Sequence, residues 1–362
     1  MGWSLTIGRI AGTSIRLHFT FLLFLAWIAV ADYLANGPAA ALATVVFILL
    51  VFGCVTLHEF GHIIMARRFG VSTPEVILSP IGGIANMERM PEKPEQELLV
   101  AIAGPLVNVA IAAILMLVTG FGLQHFAGLD FNTAGLTERL ILVNITLVLF
   151  NIIPAFPMDG GRVLRAILAM NMEAAKATAV AARIGQGFAF LFVLLGLFHN
   201  PILILVGVFI YFAATAEERQ AAFTGFASKR TVGDAMEASP ATLPGDAPLS
   251  RAIDMLLSSP QRDFPVVDDD GRVIGMLDRE AMLVGLRDHG GAIEIAKVMR
   301  QSQALAPGQA LADAFTAMQQ RRTGAEVVTD AAGRVSGLLT LENITEMMLV
   351  ENAQPGFRFK RH

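Results

Sequence analysis

Leu57-His58-Glu59-Phe60-Gly61-His62 sets two imidazoles four residues apart. On a helix they share one face, a turn apart, and can grip a single Zn²⁺. Glu59 then sits beside the metal, free to act as a general base on a water held there. A third protein ligand has to come from elsewhere in the chain, with the fourth position left to water. A histidine in an apolar setting is commonly no more than a hydrogen-bonded core residue. Here three ionisable groups fall within two turns of the apolar run 41–66. Ionisable groups inside a membrane are expensive and functional by default, so this cluster calls for a compensating ion.

The composition says what surrounds the motif. The chain has 362 residues, of which 54% are hydrophobic and 16% charged, and its mean hydropathy is +0.58. Soluble domains carry about 25% charged residues, so much of this chain belongs in lipid. A net charge of −4 makes no case for nucleic acid as a partner. The single cysteine, Cys54, cannot form an internal disulfide. It precedes His58 by one turn, where it either lines the site or packs. Arg9 and Arg16 precede an apolar segment too long for a cleavable signal, and no small-residue cleavage site follows.

Six apolar stretches are expected to span the bilayer, near 17–34, 41–66, 98–121, 140–153, 177–198 and 201–216. The fourth is the shortest. Basic residues cluster on one side of this arrangement: Arg9 and Arg16; Arg67, Arg68, Arg89 and Lys93; Arg162, Arg165, Lys176 and Arg183; and Arg219, Lys229 and Arg230; the other loops are nearly bare, Arg139 being the exception. The positive-inside rule then puts both termini in the cytoplasm of a cell (inner) membrane protein. His58 lies about 12 Å from the cytoplasmic end of the second span.

Three further stretches could serve the site. Ser79-Pro80-Ile81-Gly82-Gly83-Ile84-Ala85 excludes a helix. Short strands flank it, Val76-Ile77-Leu78 and Ile84-Ala85-Asn86. They read either as a plain surface hairpin or as a sheet edge that pairs with an extended substrate. The third span carries Ala103-Gly104-Pro105-Leu106-Val107-Asn108. Gly104 permits close helix approach and Pro105 frees a carbonyl. Asn108 is polar in lipid, so it should face the bundle interior and support packing or a ligand. The fourth span ends in Asn151-Ile152-Ile153-Pro154-Ala155-Phe156-Pro157-Met158-Asp159-Gly160-Gly161-Arg162. Two prolines break the helix and two glycines free the backbone after Asp159. That carboxylate arrives at the depth of His58 and His62, which makes Asp159 the candidate third ligand. Asn151 is placed to hydrogen-bond a carbonyl oxygen on which negative charge develops, or to pack between helices.

These pieces, H-E-F-G-H at 58–62, A-G-P-L-V-N at 103–108 and N-I-I-P-A-F-P-M-D-G-G at 151–161, resemble the site-2 protease family of intramembrane zinc metallopeptidases. The likeness runs from about Gly8 to Arg219. It implies zinc ligands His58, His62 and Asp159, Glu59 as base, and Asn151 near the reacting carbonyl. It also implies membrane-spanning protein substrates, such as single-span regulators. Met158 stands where the family usually has Leu, a volume-conserving change. The chain shows no PDZ-like insertion between its spans.

After Ala216 the composition turns polar, and an internal repeat follows. Phe264-Pro265-Val266-Val267 with Gly271-Arg272-Val273-Ile274-Gly275 returns as Ala325-Glu326-Val327-Val328 with Gly333-Arg334-Val335-Ser336-Gly337. Each unit reads helix, strand, strand, helix. The pair resembles tandem cystathionine-β-synthase (CBS) domains, which often bind adenine nucleotides between the repeats. The matching positions are Asp278 and Ala281 in the first copy and Thr340 and Asn343 in the second. Neither copy keeps the acid that holds ribose, so Asp278, Thr340 and Asn343 mark a weakened nucleotide site. A homodimerisation or docking module is the rival reading.

The expected fold is therefore a polytopic α-helical membrane protein with a soluble α/β tandem CBS domain at its C-terminal end. Its parts are a membrane metalloprotease domain at 1–218, a linker at 219–230, CBS units at 231–289 and 290–351, and a basic tail at 352–362. Three other functions compete. A CBS-bearing transporter or channel would lack the H-E-x-x-H with its downstream D-G-G. A proteolytically inactive scaffold would not need Glu59. A metal sensor would bind zinc without cleaving.

Overall fold

The computed structural model describes residues 4–10, 12–80, 82–86, 91, 93–122 and 134–354. Arg89, Ile81 and the basic aromatic tail at 357–362 lie outside the described residues. The chain divides into two compact units, Met1–Ala221 and Ala222–His362.

The first unit is helical with one small sheet. Helix α1 (Phe19–Asn36) turns directly into α2 (Pro38–Arg68) through Gly37. The turn needs φ of +87° there, which only glycine adopts without strain. Pro38 then starts α2 with a preset φ. At 31 residues α2 is about 46 Å long, more than a bilayer core requires. Its last turn carries Arg67 and Arg68. Helix α3 is Pro94–Thr119, α4 Leu136–Asn151, α5 Asp159–Ala169, α6 Ala174–Phe198 and α7 Ile202–Ala227.

Four described helices, α1, α2, α3 and α6, are long and apolar enough to cross a membrane. Helix α4 has 16 residues, about 24 Å. Helix α7 is longer, but Glu217, Glu218 and Arg219 follow directly on its apolar part.

The sheet runs β1-β2-β3-β4, with β1 at Ser4–Ile10, β2 at Thr13–His18, β3 at Glu75–Ser79 and β4 at Gly82–Asn86. Strands β3 and β4 are the pair expected around Pro80. β1 and β2 were not expected. β2 joins β3 in parallel, Arg16 opposite Ile77, and Arg16 Nη1 donates to Glu75 Oε2 at 2.9 Å. The sheet lies on the motif turn of α2: Ile15, Val76 and Leu78 share a buried cluster with Phe60 and Ile63. Among the described residues β4 is an edge strand.

The second unit holds the repeat. Helices α8 (Val232–Ala235), α9 (Leu249–Ser258), α10 (Arg279–His289), α11 (Leu311–Arg321) and α12 (Leu341–Ala353) pack on two sheets. Their orders are β5-β10-β9 and β6-β7-β8. The strands are β5 (Glu237–Ala238), β6 (Leu243–Pro244), β7 (Phe264–Val267), β8 (Val273–Leu277), β9 (Ala325–Thr329) and β10 (Val335–Thr340). The β7–β8 and β9–β10 turns are built alike. Asp268 accepts from the amides of Asp270 and Arg272, and Asp330 from those of Ala332 and Arg334.

The segments leading into the repeats change places. β5, ahead of the first copy, pairs with β10 of the second. Arg300, ahead of the second, exchanges both backbone hydrogen bonds with Met276 of the first. Val232 and Ala235 accordingly join the core around Leu311, Val328 and Leu339, while Ile295 joins that around Leu249, Phe264 and Leu277.

Candidate metal centre

The turn 58–62 of α2 presents both imidazoles inward. His58 is 7% exposed and His62 3%. Gly61, between them in sequence, lets α3 come close: a Cβ there would meet the Ala103 carbonyl oxygen at 2.6 Å. On α3, a Cβ at Gly104 would meet His62 Nε2, and His58 Nε2 at 2.8 Å. The two glycines thus let α3 close over the imidazoles.

Asp159 reaches the same point from the far end of the loop 152–158. It is the first residue of α5 and 8% exposed. The loop before it is anchored by burial: Ala155 and Met158 pack with Ala189 and Ile210, and Phe156 with Ala181, Ala182 and Ala214. A Cβ at Gly160 would meet the Ile152 and Ile153 carbonyl oxygens, and one at Gly161 the backbone of Ala155 and Phe156. The glycine pair lets the loop fold back on the helix start.

The result is a triangle of atoms. His58 Nε2 lies 3.1 Å from His62 Nε2 and 3.1 Å from Asp159 Oδ2, and His62 Nε2 lies 3.2 Å from the same oxygen. The opposite nitrogens are spoken for. His62 Nδ1 faces the Val100 carbonyl oxygen at 2.7 Å, and His58 Nδ1 faces Asn108 Oδ1 at 2.9 Å. A ring nitrogen facing an acceptor must carry the proton. Both Nε2 atoms are then lone-pair acceptors, turned toward each other and toward a carboxylate. Three buried acceptors at this spacing repel unless a cation sits among them. Bonds of about 2.0–2.1 Å in a tetrahedral zinc site imply ligand–ligand edges of about 3.3 Å. The donor set and its spacing fit zinc.

Glu59 points elsewhere. It is half-buried, and β4 passes over it: a Cβ at Gly83 would lie 2.7 Å from Glu59 Cγ and 3.4 Å from Oε1. The edge strand and the candidate base are therefore neighbours. Asn151 is the last residue of α4 and half-buried.

Other residues around the centre were less legible. Asn108, foreseen only as polar and inward-facing, is the partner of His58. Cys54 is buried and takes a long contact from Asn144 Nδ2, 3.4 Å from its Sγ. Asn144, an amide in an apolar helix, gave the signal by which it could have been found.

In the second unit Asp278 and Thr340 are helix caps. Asp278 Oδ1 accepts from the Ala281 amide at 2.8 Å, and Thr340 Oγ1 from the Asn343 amide at 3.0 Å. Asp278 Oδ2 also takes Arg300 Nε at 3.2 Å. A cavity of about 410 Å³ opens beside Asp278, Ala281, Gly285, His289 and Lys297. Thr340 and Asn343 do not line it.

Two histidines on one helical turn, a carboxylate delivered by a later helix and a flanking glutamate, all among apolar helices, define a membrane-embedded zinc-metallopeptidase type of centre. Peptidase family M50 matches residues 46–137 and 127–194, and the CBS domain family matches residues 232–288. The zinc metalloprotease MJ0392 of Methanocaldococcus jannaschii is 38% identical over 278 residues, 76% of this chain and 78% of that one. The putative zinc metalloprotease Rip3 of Mycobacterium tuberculosis is 30% identical over 76% of this chain and 74% of its own. A solved site-2 protease from M. jannaschii is 40% identical, covering 60% of this chain and 96% of that one, with a TM-score of 0.45. The chain belongs to peptidase family M50, the site-2 proteases. It is an intramembrane zinc metalloprotease that carries CBS sequence at its C-terminal end.

Proposed function

We propose that His58, His62 and Asp159 hold the zinc, that Glu59 is the general base, and that Asn151 donates a hydrogen bond to the scissile carbonyl. The observation that carries this reading is the buried triangle of acceptors, 3.1–3.2 Å on each side. Zinc there would supply Lewis acidity, making an attacking water acidic near neutral pH and polarising the peptide carbonyl. Glu59 takes the proton of that water and returns it to the leaving amine. Asn151 stabilises negative charge on the carbonyl oxygen.

The substrate is a membrane-spanning protein, such as a single-span regulator. A helical segment hides its carbonyls in its own hydrogen bonds, so it has to unwind before cleavage. β4 offers an edge on which it lies extended, and the nearness of Gly83 to Glu59 supports that placement.

In this reading the chain crosses the inner membrane six times, with α4 and the apolar part of α7 added to the four long helices. Both termini are cytoplasmic, and the domain limits are those set out from the sequence. The CBS pair regulates the protease. Of the three residues expected to hold an adenine nucleotide, Asp278 lines the cavity while Thr340 and Asn343 lie away from it, so a nucleotide in that cavity is held beside Asp278 and its partner Arg300. The CBS pair also joins a second copy through exposed Leu283 and Leu286 on α10 and Leu349 on α12.

The test is co-expression with membrane proteins of the same genome, comparing wild type with Glu59→Gln by proteomics of released fragments. Fragments that appear only with wild type support the reading, and identical fragment sets overturn it. Titration of the intact protein with ATP and AMP, giving neither heat nor a melting shift, would remove the nucleotide.

A further inference from the structure

Buried Glu97 and half-buried Arg165 form an ion pair that none of the roles above uses. Glu97 is 6% exposed in the first turn of α3. Arg165 lies on α5, and its Nε and Nη2 both reach Glu97 Oε1, at 2.7 and 2.5 Å. The two helices pack against each other. Each end of the pair leads to the metal centre within one or two turns. On α3, Val100 follows Glu97 by three residues, on the same face, and its carbonyl oxygen holds His62 Nδ1. On α5, Arg165 follows Asp159 by six residues, about 9 Å along one helix.

Most of the fully buried side chains along this stretch of α3 are small, with Leu98, Ile102 and Val107 half-buried beside them. Its buried residues between Glu97 and Asn108 are Val100, Ala101, Ala103 and Gly104. Small residues let helices approach but do little to stop them sliding. A guanidinium placing two donors on one carboxylate oxygen does fix the relation of its two helices. Buried ion pairs contribute little net stability over apolar residues of the same size, and their best-attested use is to set register.

We propose that Glu97 and Arg165 are positioning residues for the zinc centre, holding α5 in the register that keeps Asp159 within reach of His58 and His62. The proposal rests on the ligand set given under Proposed function.

The experiment is equilibrium competition for zinc between a chelator and the full-length protein in detergent. The variants are Arg165→Met, Arg165→Lys and Asp159→Asn, with each Arg165 change repeated in the Asp159→Asn background. Melting of the zinc-free forms is followed in parallel. Arg165→Met is expected to weaken zinc by about 10–100-fold, the range for groups that orient metal ligands. Arg165→Lys, which keeps the charge and loses the fork, should weaken it less, and it carries the test where Arg165→Met does not fold. In the Asp159→Asn background neither change should weaken zinc further, because the carboxylate they position is gone. Zinc affinity unchanged by both Arg165 variants would overturn the proposal. So would losses that simply add to that of Asp159→Asn, or a lowered zinc-free melting point with wild-type zinc affinity. Wild-type affinity in Asp159→Asn alone would instead overturn the ligand set.

Discussion

Gly104→Ala adds one methyl group at the closest approach of α3 to the imidazoles. The new Cβ would meet His62 Nε2 directly and stand 2.8 Å from His58 Nε2, 0.6 Å inside the 3.4 Å at which ordinary contact begins. α3 cannot easily absorb the difference, because Val100 and Asn108 on the same helix hold the two Nδ1 atoms. The imidazoles must move instead, and metal–ligand distances tolerate only about ±0.2 Å. Overpacking of this kind costs about 1–3 kcal/mol. If that strain is relieved when the rings turn away, zinc affinity falls by about 10–100-fold. Gly53→Ala is the control. It lies on α2 with open space where its Cβ would go, so it should leave zinc and helix content unchanged. The assay is bound zinc per chain after dialysis against graded chelator, with helix content from circular dichroism. Wild-type zinc affinity in a folded Gly104→Ala protein would refute the placement of the ion among the Nε2 atoms.

Glu59→Gln should keep zinc at wild-type affinity and lower cleavage by at least about 10²–10⁴-fold, the usual share of a general base; metal content and a cleavage assay on one protein sample check both. Gly83→Ala, whose Cβ would press on Glu59 Cγ at 2.7 Å, should lower kcat while zinc stays bound, the reverse of Gly104→Ala. Asn108→Ala removes the acceptor facing His58 Nδ1 and should weaken zinc by about 10–100-fold, read by chelator competition. In the CBS unit, burial, with the neighbouring Asp278 charge second, raises the Asp263 carboxyl above its ordinary value. A raised folded value gives stability that is present below the unfolded value of about 3.9 and is lost as pH rises through the folded one. Asp263→Asn should therefore stabilise this unit at neutral pH and change it little near pH ~3, as followed by hydrogen exchange in β7.

The features legible in the sequence were those fixed by short spacing or by a polar group where apolar ones belong. His58 and His62 face the same way because four residues make one turn. Asp159 stood out because prolines and glycines interrupt an apolar run beside it, and the structure brings it to the two imidazoles. The pairing of Val76–Leu78 with Ile84–Asn86 was visible because the turn between them is local. β1 and β2 were missed although their turn is just as local, Ile10 lying opposite Thr13, and although Leu5 and Ile7 flank Thr6 as Ile15 and Leu17 flank Arg16; only the parallel pairing of β2 with β3, some sixty residues on, has no local pattern to announce it. The exchange of β5 and Arg300 between the two sheets of the second unit is hidden for the same reason. A repeat in sequence says that two units are alike, not which unit each connecting strand completes.

The same distinction separates ligands from the groups that aim them. A ligand is chosen for its chemistry, so its residue type and depth narrow the candidates to a few. A group that aims a ligand needs only to be an acceptor in the right place, and a backbone carbonyl serves as well as a side chain. Val100 shows this: its side chain carries no polar atom, yet its carbonyl oxygen fixes the tautomer of His62 at 2.7 Å. That carbonyl is in place because α3 packs tightly, and α3 packs tightly because Gly61 and Gly104 have no side chains. Two residues with no functional groups therefore control the geometry of two that have them. Zinc affinity in this chain should accordingly be as sensitive to a methyl group added at either glycine as to the loss of Asn108.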